Sequence, residues 1–396
     1  MAKGNPNFER LRREYIFPII EKKLLELKEL HPDVDVINVG IGDISLPLAS
    51  VVVSAISSAA QEMAHETSIR GYGPSEGYKF LKQCILENEY QKYGLSPEEI
   101  FISDGINTDI ANALELFASD SRVAIPDPTY PVYLDSTLIS GNNSILLPCL
   151  EANQCLPKPP KEKVDIIYLC SPSNPTGVAM NYDQLKEFVD YAIENESIIL
   201  FDSAYSAFIH SSDVPKSVYE IPGAENVAIE FRSFSKSAGF TGLRCGYTVV
   251  PKKILLSQNE EQVALWNLWS KRQSIKSNGV SYPIQRGAES CFTPEGKKQI
   301  SYQIDTYLES AKAFREGLAE LGYTCYGGVD SPYIWWKIPG GFTSWEFFDI
   351  LLKHCHIVAI PGRGFGEHGE GFIRLSAFTK LSKVRTALER IKNLKL

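Results

Sequence analysis

Several signatures are missing from this 396-residue sequence, and each absence narrows what the chain can be. Its eight cysteines contain no C-x-x-C pair, which argues against a disulfide framework and a zinc ribbon and fits a reducing cytoplasm. Its six histidines contain no H-E-x-x-H. His354 and His356 end the apolar pattern "WEFFDILLKHCH" and read as a helix terminus, so no metal is expected. No stretch approaches the roughly 18 apolar residues that cross a membrane. The opening "MAKGNPNFERLRREYIF" lacks the apolar core of a secretory signal. Positive charge is not in excess either: 40 Lys and Arg face 48 Asp and Glu, a net charge of −8. The one basic cluster (Arg10, Arg12, Arg13) is flanked by Glu9 and Glu14, so a nucleic-acid role is not expected. Internal repeats and low-complexity tracts are also absent.

What is present is an ordinary globular composition, 44% hydrophobic and 22% charged, long enough for two domains. A helical pattern begins at Pro18 and runs to about 31. "VINVGIGD" (36–43) predicts a short strand entering a glycine turn, followed by helices over 48–64 and 76–93, the latter capped by Gly94. Strands and helices then alternate. Predicted strands cover 99–105, 122–128, 164–172, 197–205, 226–234 and 244–250. Several are almost unbroken apolar runs, as strands buried on both faces of a parallel sheet must be. From about 281 the order changes to long helices, short strands ("PYIWWKI", "HIVAI", "GFIRLSAF") and a closing helix. The expectation is an α/β large domain over 43–280 and a smaller α+β domain over 281–396, onto which residues 1–42 fold as an arm.

Open α/β sheets bind ligands at the strand ends. Polar groups gather at five of them. "SDGINTD" (103–109) offers backbone N–H groups of Ile106 and Asn107 at a helix start. "DPTYPVY" (127–133) carries Tyr130, "SPSNPTG" (171–177) holds Asn174 between prolines, and "FDSAYSAF" (201–208) presents Asp202 and Tyr205. "SFSKSAGFTGLR" (233–244) sets Lys236 among small residues, with Arg244 eight positions on. Singly, each has a plain reading: a capping acid, a core tyrosine, a turn asparagine, a solvated lysine. Together they form the set needed by an aldehyde cofactor with a pyridine ring and a phosphate. "GFGEHG" (364–369) matches G-x-G-x-x-G, but a strand follows it where a dinucleotide site needs a helix, so it reads as a glycine loop near Arg374.

The motifs "SPSNPTG", "FDSAY" and "SFSKSAGFTGLR", in this order, resemble the fold-type I pyridoxal-phosphate aminotransferases of the aspartate aminotransferase class. The resemblance spans nearly the whole chain. It implies pyridoxal 5'-phosphate as cofactor, with Lys236 as its Schiff-base lysine and catalytic base. Ser233, Ser235, Arg244 and the N–H groups at Ile106 and Asn107 would hold the phosphate. Asp202 would pair with the ring nitrogen, Asn174 and Tyr205 would bond the phenolic oxygen, and Tyr130 would stack on the ring. Arg374, in "GEGFIRLSAF", would bind the substrate α-carboxylate. Tyr72, in "RGYGPSEG", would reach the neighbouring subunit's phosphate, which implies a homodimer with shared sites.

Within that class the chain is most similar to the LL-diaminopimelate aminotransferase family, through "NPNFERLRREYIFPII", "INVGIGD", "RGYGP", "DPTYPVYLD", "AIEFRSFSK" and "PGRGFG". The resemblance implies transfer of an amino group between LL-diaminopimelate and 2-oxoglutarate in lysine biosynthesis. Tyr15 and Gly42 would line the substrate pocket, and Asn278 would reach it from the partner. Two positions depart from the family pattern: Asn107 stands where a lysine is expected, and Ser75 where an acid is, although Glu76 is adjacent. The family reads the distal end of its substrate there. A related aminotransferase with another amino-acid substrate therefore stays open, as does a lyase using the same lysine.

Overall fold

The computed structural model describes residues 1–11 and 16–394, apart from the Phe17 side chain. Seven strands form the larger sheet: β1 (Ile100–Ser103), β2 (Arg122–Asp127), β3 (Asn143–Pro148), β4 (Ile166–Cys170), β5 (Ile198–Asp202), β6 (Ala228–Ser233) and β7 (Gly246–Val249). Their order across the sheet is β1-β7-β6-β5-β4-β2-β3. Only β7 runs against its neighbours. Strands β4 and β5 are buried at every position, which is why they read as apolar runs. The register pairs Cys170 with Asp202, Asp202 with Phe231 and Ser233 with Gly246. One edge of the sheet therefore carries the polar ends of successive strands.

Apolar side chains fill both faces. Ile102, Leu169, Phe188 and Phe201 pack on one side, and Val123, Tyr168, Phe231 and Trp269 on the other. Burying each such side chain contributes about 1.5–3 kcal/mol.

A second sheet is antiparallel: β8 (Cys325–Gly327), β9 (Tyr333–Lys337), β10 (Ile360–Pro361) and β11 (Phe372–Ser376), in the order β8-β9-β11-β10. Arg374 pairs with Trp335 on one side and with Ile360 on the other, so it sits centrally in this sheet. Its core joins Ile20, Leu27 and Ile37 to Phe314, Trp336, Phe347 and Ile391. The N-terminal helix Ile16–Leu30 thus packs with elements from the far end of the chain. Ile37 and Asn38 pair with Ile357 and Val358. The helix Tyr282–Ser290, by contrast, packs on the helix Ser50–Glu62 of the larger body, with Gly287 against Ile56.

Three local features differ from the sequence reading. The helix expected over 76–93 is regular only at Lys79–Ile85; a wider turn at Leu86–Tyr90 and a tighter one at Gln91–Tyr93 follow. That change of pitch brings Tyr90 to a 2.7 Å bond with the buried Glu230. Gly94 has a φ of 70°, as a helix-ending glycine should. Edge strand β3 and an exposed hairpin (Leu255–Gln258 with Glu261–Ala264) went unread. Among the described residues, no helix is long and apolar enough to cross a membrane.

Candidate active site

A cavity of about 400 Å³ opens where the polar edge of the large sheet meets the small sheet. Gly42, Ile106, Asn107, Tyr130, Asn174, Asp202, Tyr205, Ser233, Ser235, Lys236, Arg244 and Arg374 all line it. These residues arrive from seven separate segments of sequence, so their convergence comes from topology alone.

Lys236 lies on the one-turn helix Phe234–Ser237 that follows β6. Ser233 caps this turn by accepting from the Ser235 N–H at 3.1 Å. The Lys236 ammonium donates to the Gly42 carbonyl and lies 5.6 Å from the centre of the Phe378 ring. Burial pushes its pKa down to about 8; Asp43 opposes this, and the charges of Arg374 and Arg244 add to it. An amine so placed is a nucleophile and base close to neutral pH.

At one end of the cavity Arg244 has φ 62° and donates to Thr241 O at 3.1 Å and to Ser235 Oγ at 3.4 Å. Its Nη2 faces Gly105, where an added Cβ would come within 2.4 Å. Gly105 leads into the helix Ile106–Asn112. Two hydroxyls, a guanidinium and a helix start are the donor set a phosphate takes.

On the cavity floor Asp202 ends β5 and is buried. Tyr133 Oη donates to its Oδ2 at 2.6 Å, and the Ala204 N–H donates to its Oδ1 at 3.0 Å. Burial raises its pKa to about 6, against the lowering effect of those two bonds. A buried carboxylate that, among the described residues, has no cationic side chain bonded to it suits a protonated ring nitrogen.

On the opposite side Arg374 is buried between the Tyr333 ring (4.5 Å) and the Phe365 ring (4.7 Å). It donates to Asn174 Oδ1 and to the Gly40 carbonyl, both at 2.7 Å. Its Nε is buried without a partner, and among the described residues no acid pairs with it. Burial lowers its pKa. A buried guanidinium with a donor to spare can bind a carboxylate. Tyr130 Oη donates to Asn107 Oδ1 at 2.9 Å.

Three other expected residues lie outside this cavity. Tyr72 and Asn278 line a separate cleft of about 330 Å³, and Tyr72 is 92% exposed. Ser75 lies close to that cleft, its Cα 3.7 Å from a Cβ built on Gly279, and its Oγ donates to Glu76 Oε2 at 3.3 Å. Tyr15 falls outside the described residues.

Sequence reasoning missed Tyr133, Tyr333 and Phe378, which look like core, and Phe365, which stands alone in the glycine loop. It also missed a latch between the two bodies. His368 Nδ1 lies 2.7 Å from Asp127 Oδ2, and the Thr129 N–H donates to Phe365 O at 3.0 Å. The glycine loop 364–369 thus clasps the turn that presents Tyr130, and it packs Phe365 on Arg374 as the reading near Arg374 implies.

Fold and cavity together place the chain among the class I and II aminotransferases, enzymes that work with pyridoxal phosphate. The family model "Aminotransferase class I and II" matches residues 34–391. An LL-diaminopimelate aminotransferase of Methanosphaera stadtmanae is 47% identical over 99% of each chain. One from Prochlorococcus marinus is 46% identical over the full length of both. The solved L,L-diaminopimelate aminotransferase of Chlamydomonas reinhardtii superposes with a TM-score of 0.93 at 39% identity, covering 99% of this chain and 98% of that one. The chain belongs to the LL-diaminopimelate aminotransferase family.

Proposed function

We propose that the protein moves an amino group between LL-diaminopimelate and 2-oxoglutarate, giving tetrahydrodipicolinate (with water) and glutamate, in lysine biosynthesis. The observation that carries this reading is the pairing of Lys236, with its pKa near 8, and Arg374, with its unused Nε, in one cavity. The names of the full-length relatives support the substrate.

The donor set fits pyridoxal 5'-phosphate, with Lys236 as its anchor. Ser233, Ser235, Arg244 and the backbone at Ile106 and Asn107 would hold the phosphate. Asp202 would hold the ring nitrogen, Tyr205 and Asn174 the ring oxygen, and Tyr130 the ring face. When bound, that group withdraws electrons from the substrate Cα and carries the amino group from donor to acceptor. Arg374 binds the α-carboxylate and fixes Cα in front of Lys236. Lys236 takes the Cα proton, which its lowered pKa allows near neutrality. Asp202, as a carboxylate, would favour a protonated ring nitrogen.

The working unit in this reading is a homodimer, with Tyr72, Ser75 and Asn278 of the partner subunit completing each cavity; Tyr15 would line the same pocket. Their position outside the chain's own cavity and the exposure of Tyr72 support it. The chain would divide into a large domain over 43–280 and a small domain from 1–42 and 281–396, with the helix Tyr282–Ser290 packed on the large one. Eight unpaired cysteines support a reducing compartment such as the cytoplasm.

Asn107 favours a second reading, an aminotransferase with a changed preference at the distal end of the substrate. Its Oδ1 is occupied by Tyr130, which leaves a neutral amide donor where the family pattern has a lysine. A half-reaction decides between the two. Cofactor-loaded protein is mixed with LL-diaminopimelate or other amino acids, without acceptor, and its visible absorbance is followed. Fast loss with LL-diaminopimelate supports the first reading, and loss with another amino acid alone supports the second.

A further inference from the structure

Tyr333 opens β9 and is 1% exposed. Its hydroxyl lies 2.9 Å from the Tyr205 hydroxyl. Its ring lies beneath the Arg374 guanidinium, 4.5 Å from ring centre to the guanidinium carbon. It also explains why position 42 is glycine: a Cβ there would lie 2.1 Å from the Tyr333 oxygen. The carbonyl of that same glycine accepts from Lys236. One phenol therefore touches the ring-oxygen donor, the carboxylate clamp and the residue that seats the lysine.

Either hydroxyl of the pair can donate to the other. A phenol carries one proton. A Tyr205 that donates to a ring oxygen in the cavity can therefore only accept from Tyr333. Burial raises both phenols and the Arg374 charge lowers both, so each keeps its proton for such a chain.

We propose that Tyr333 is a positioning residue of this site: its hydroxyl sets the direction of the Tyr205 proton, and its ring sets the plane of Arg374. The inference rests on the function proposed above. It makes one side chain hold a group on the small sheet and a group in the turn after β5 of the large one.

Two variants separate the two parts, and neither readout is turnover. Tyr333→Phe keeps the ring and removes the hydroxyl; Tyr333→Leu removes both. Each is loaded with pyridoxal phosphate, and its visible absorbance is titrated with pH in the absence of substrate. Each is also titrated with glutarate, a dicarboxylate without an amino group. Loss of the hydroxyl weakens support for a negative ring oxygen, so the absorbance midpoint rises by about 0.5–1 unit in both variants. Glutarate affinity stays within about twofold in Tyr333→Phe and falls about tenfold in Tyr333→Leu. An unshifted midpoint in Tyr333→Phe overturns the role of the hydroxyl. Undiminished glutarate affinity in Tyr333→Leu overturns the role of the ring. If the leucine variant does not fold, Tyr333→Phe still tests the hydroxyl, and Tyr333→Met, which also lacks the ring, tests the ring in the same glutarate titration. A wild-type protein that shows no visible band with pyridoxal phosphate removes the proposed function itself. A normal wild-type titration beside unshifted variants removes only this inference.

Discussion

Arg374 and Asn174 are 200 positions apart and share a 2.7 Å hydrogen bond, while among the described residues the buried Arg374 Nε has no partner. The guanidinium is held on one edge and keeps a donor unused on another. Replacing the fork by a point charge loses both features. Arg374→Lys should lower kcat/KM by about ten- to a hundredfold, the loss of one charge-assisted bond of about 1.5–3 kcal/mol. Cofactor uptake should be unchanged. Steady-state kinetics beside a cofactor titration check this, and a variant with wild-type kcat/KM would remove Arg374 from the substrate site.

Lys236 has a pKa lowered to about 8 by burial. Its neutral fraction grows tenfold per pH unit below that value and saturates above it. The rate at which cofactor-free protein takes up pyridoxal phosphate should therefore climb from pH 6 and flatten above about 8. Lys236→Ala should bind the cofactor without a covalent link and show no turnover. Turnover at the wild-type rate in that variant would sink the assignment.

Asp202 has a folded pKa of about 6 against 3.8 in the unfolded chain. The folded state holds its proton more tightly, so this group's contribution is complete below about pH 4 and is lost as pH rises through 6. Cofactor-free Asp202→Asn should be more stable than the parent at pH 8, by about 1–3 kcal/mol, with the gap closing near pH 4. Denaturant melts at the two pH values test the sign. A variant less stable than the parent at pH 8 contradicts it.

Gly366 has φ 152°, and a Cβ there would lie 1.6 Å from Asp127 Oδ1. The same carboxylate holds His368. Gly366→Ala must move either the aspartate or the loop, and should destabilise the protein by about 1–3 kcal/mol. Gly4→Ala, with nothing within 4 Å, is the neutral control. Thermal melts of the two variants should separate clearly; coincident melts would show that the loop yields freely.

Legibility in the sequence followed the chemistry of each segment. Lys236, Arg244, Asn174 and Asp202 stand in short polar turns between apolar strands, where a charged residue is conspicuous. Tyr133 and Tyr333 carry no such contrast, and their hydrogen-bond partners are 69 and 128 positions away. Periodicity reports which face of an element is buried, not what a buried hydroxyl meets. Strand β3 was missed because only one of its six residues is buried. The helix over 76–93 was found, but not its change of pitch, and the partner that Tyr90 meets there, Glu230, lies 140 positions along the chain.

The separation of Tyr72 and Asn278 from Lys236 has a genetic consequence under the dimeric reading. A chain with Lys236→Ala still lends an intact Asn278 to its partner. A chain with Asn278→Ala still brings its own lysine. Each alone forms only dead dimers, yet a mixed dimer contains one cavity with every part in place. Two defective alleles of this sequence, expressed together, should then complement each other, and the mixed dimers would recover activity that neither variant has alone.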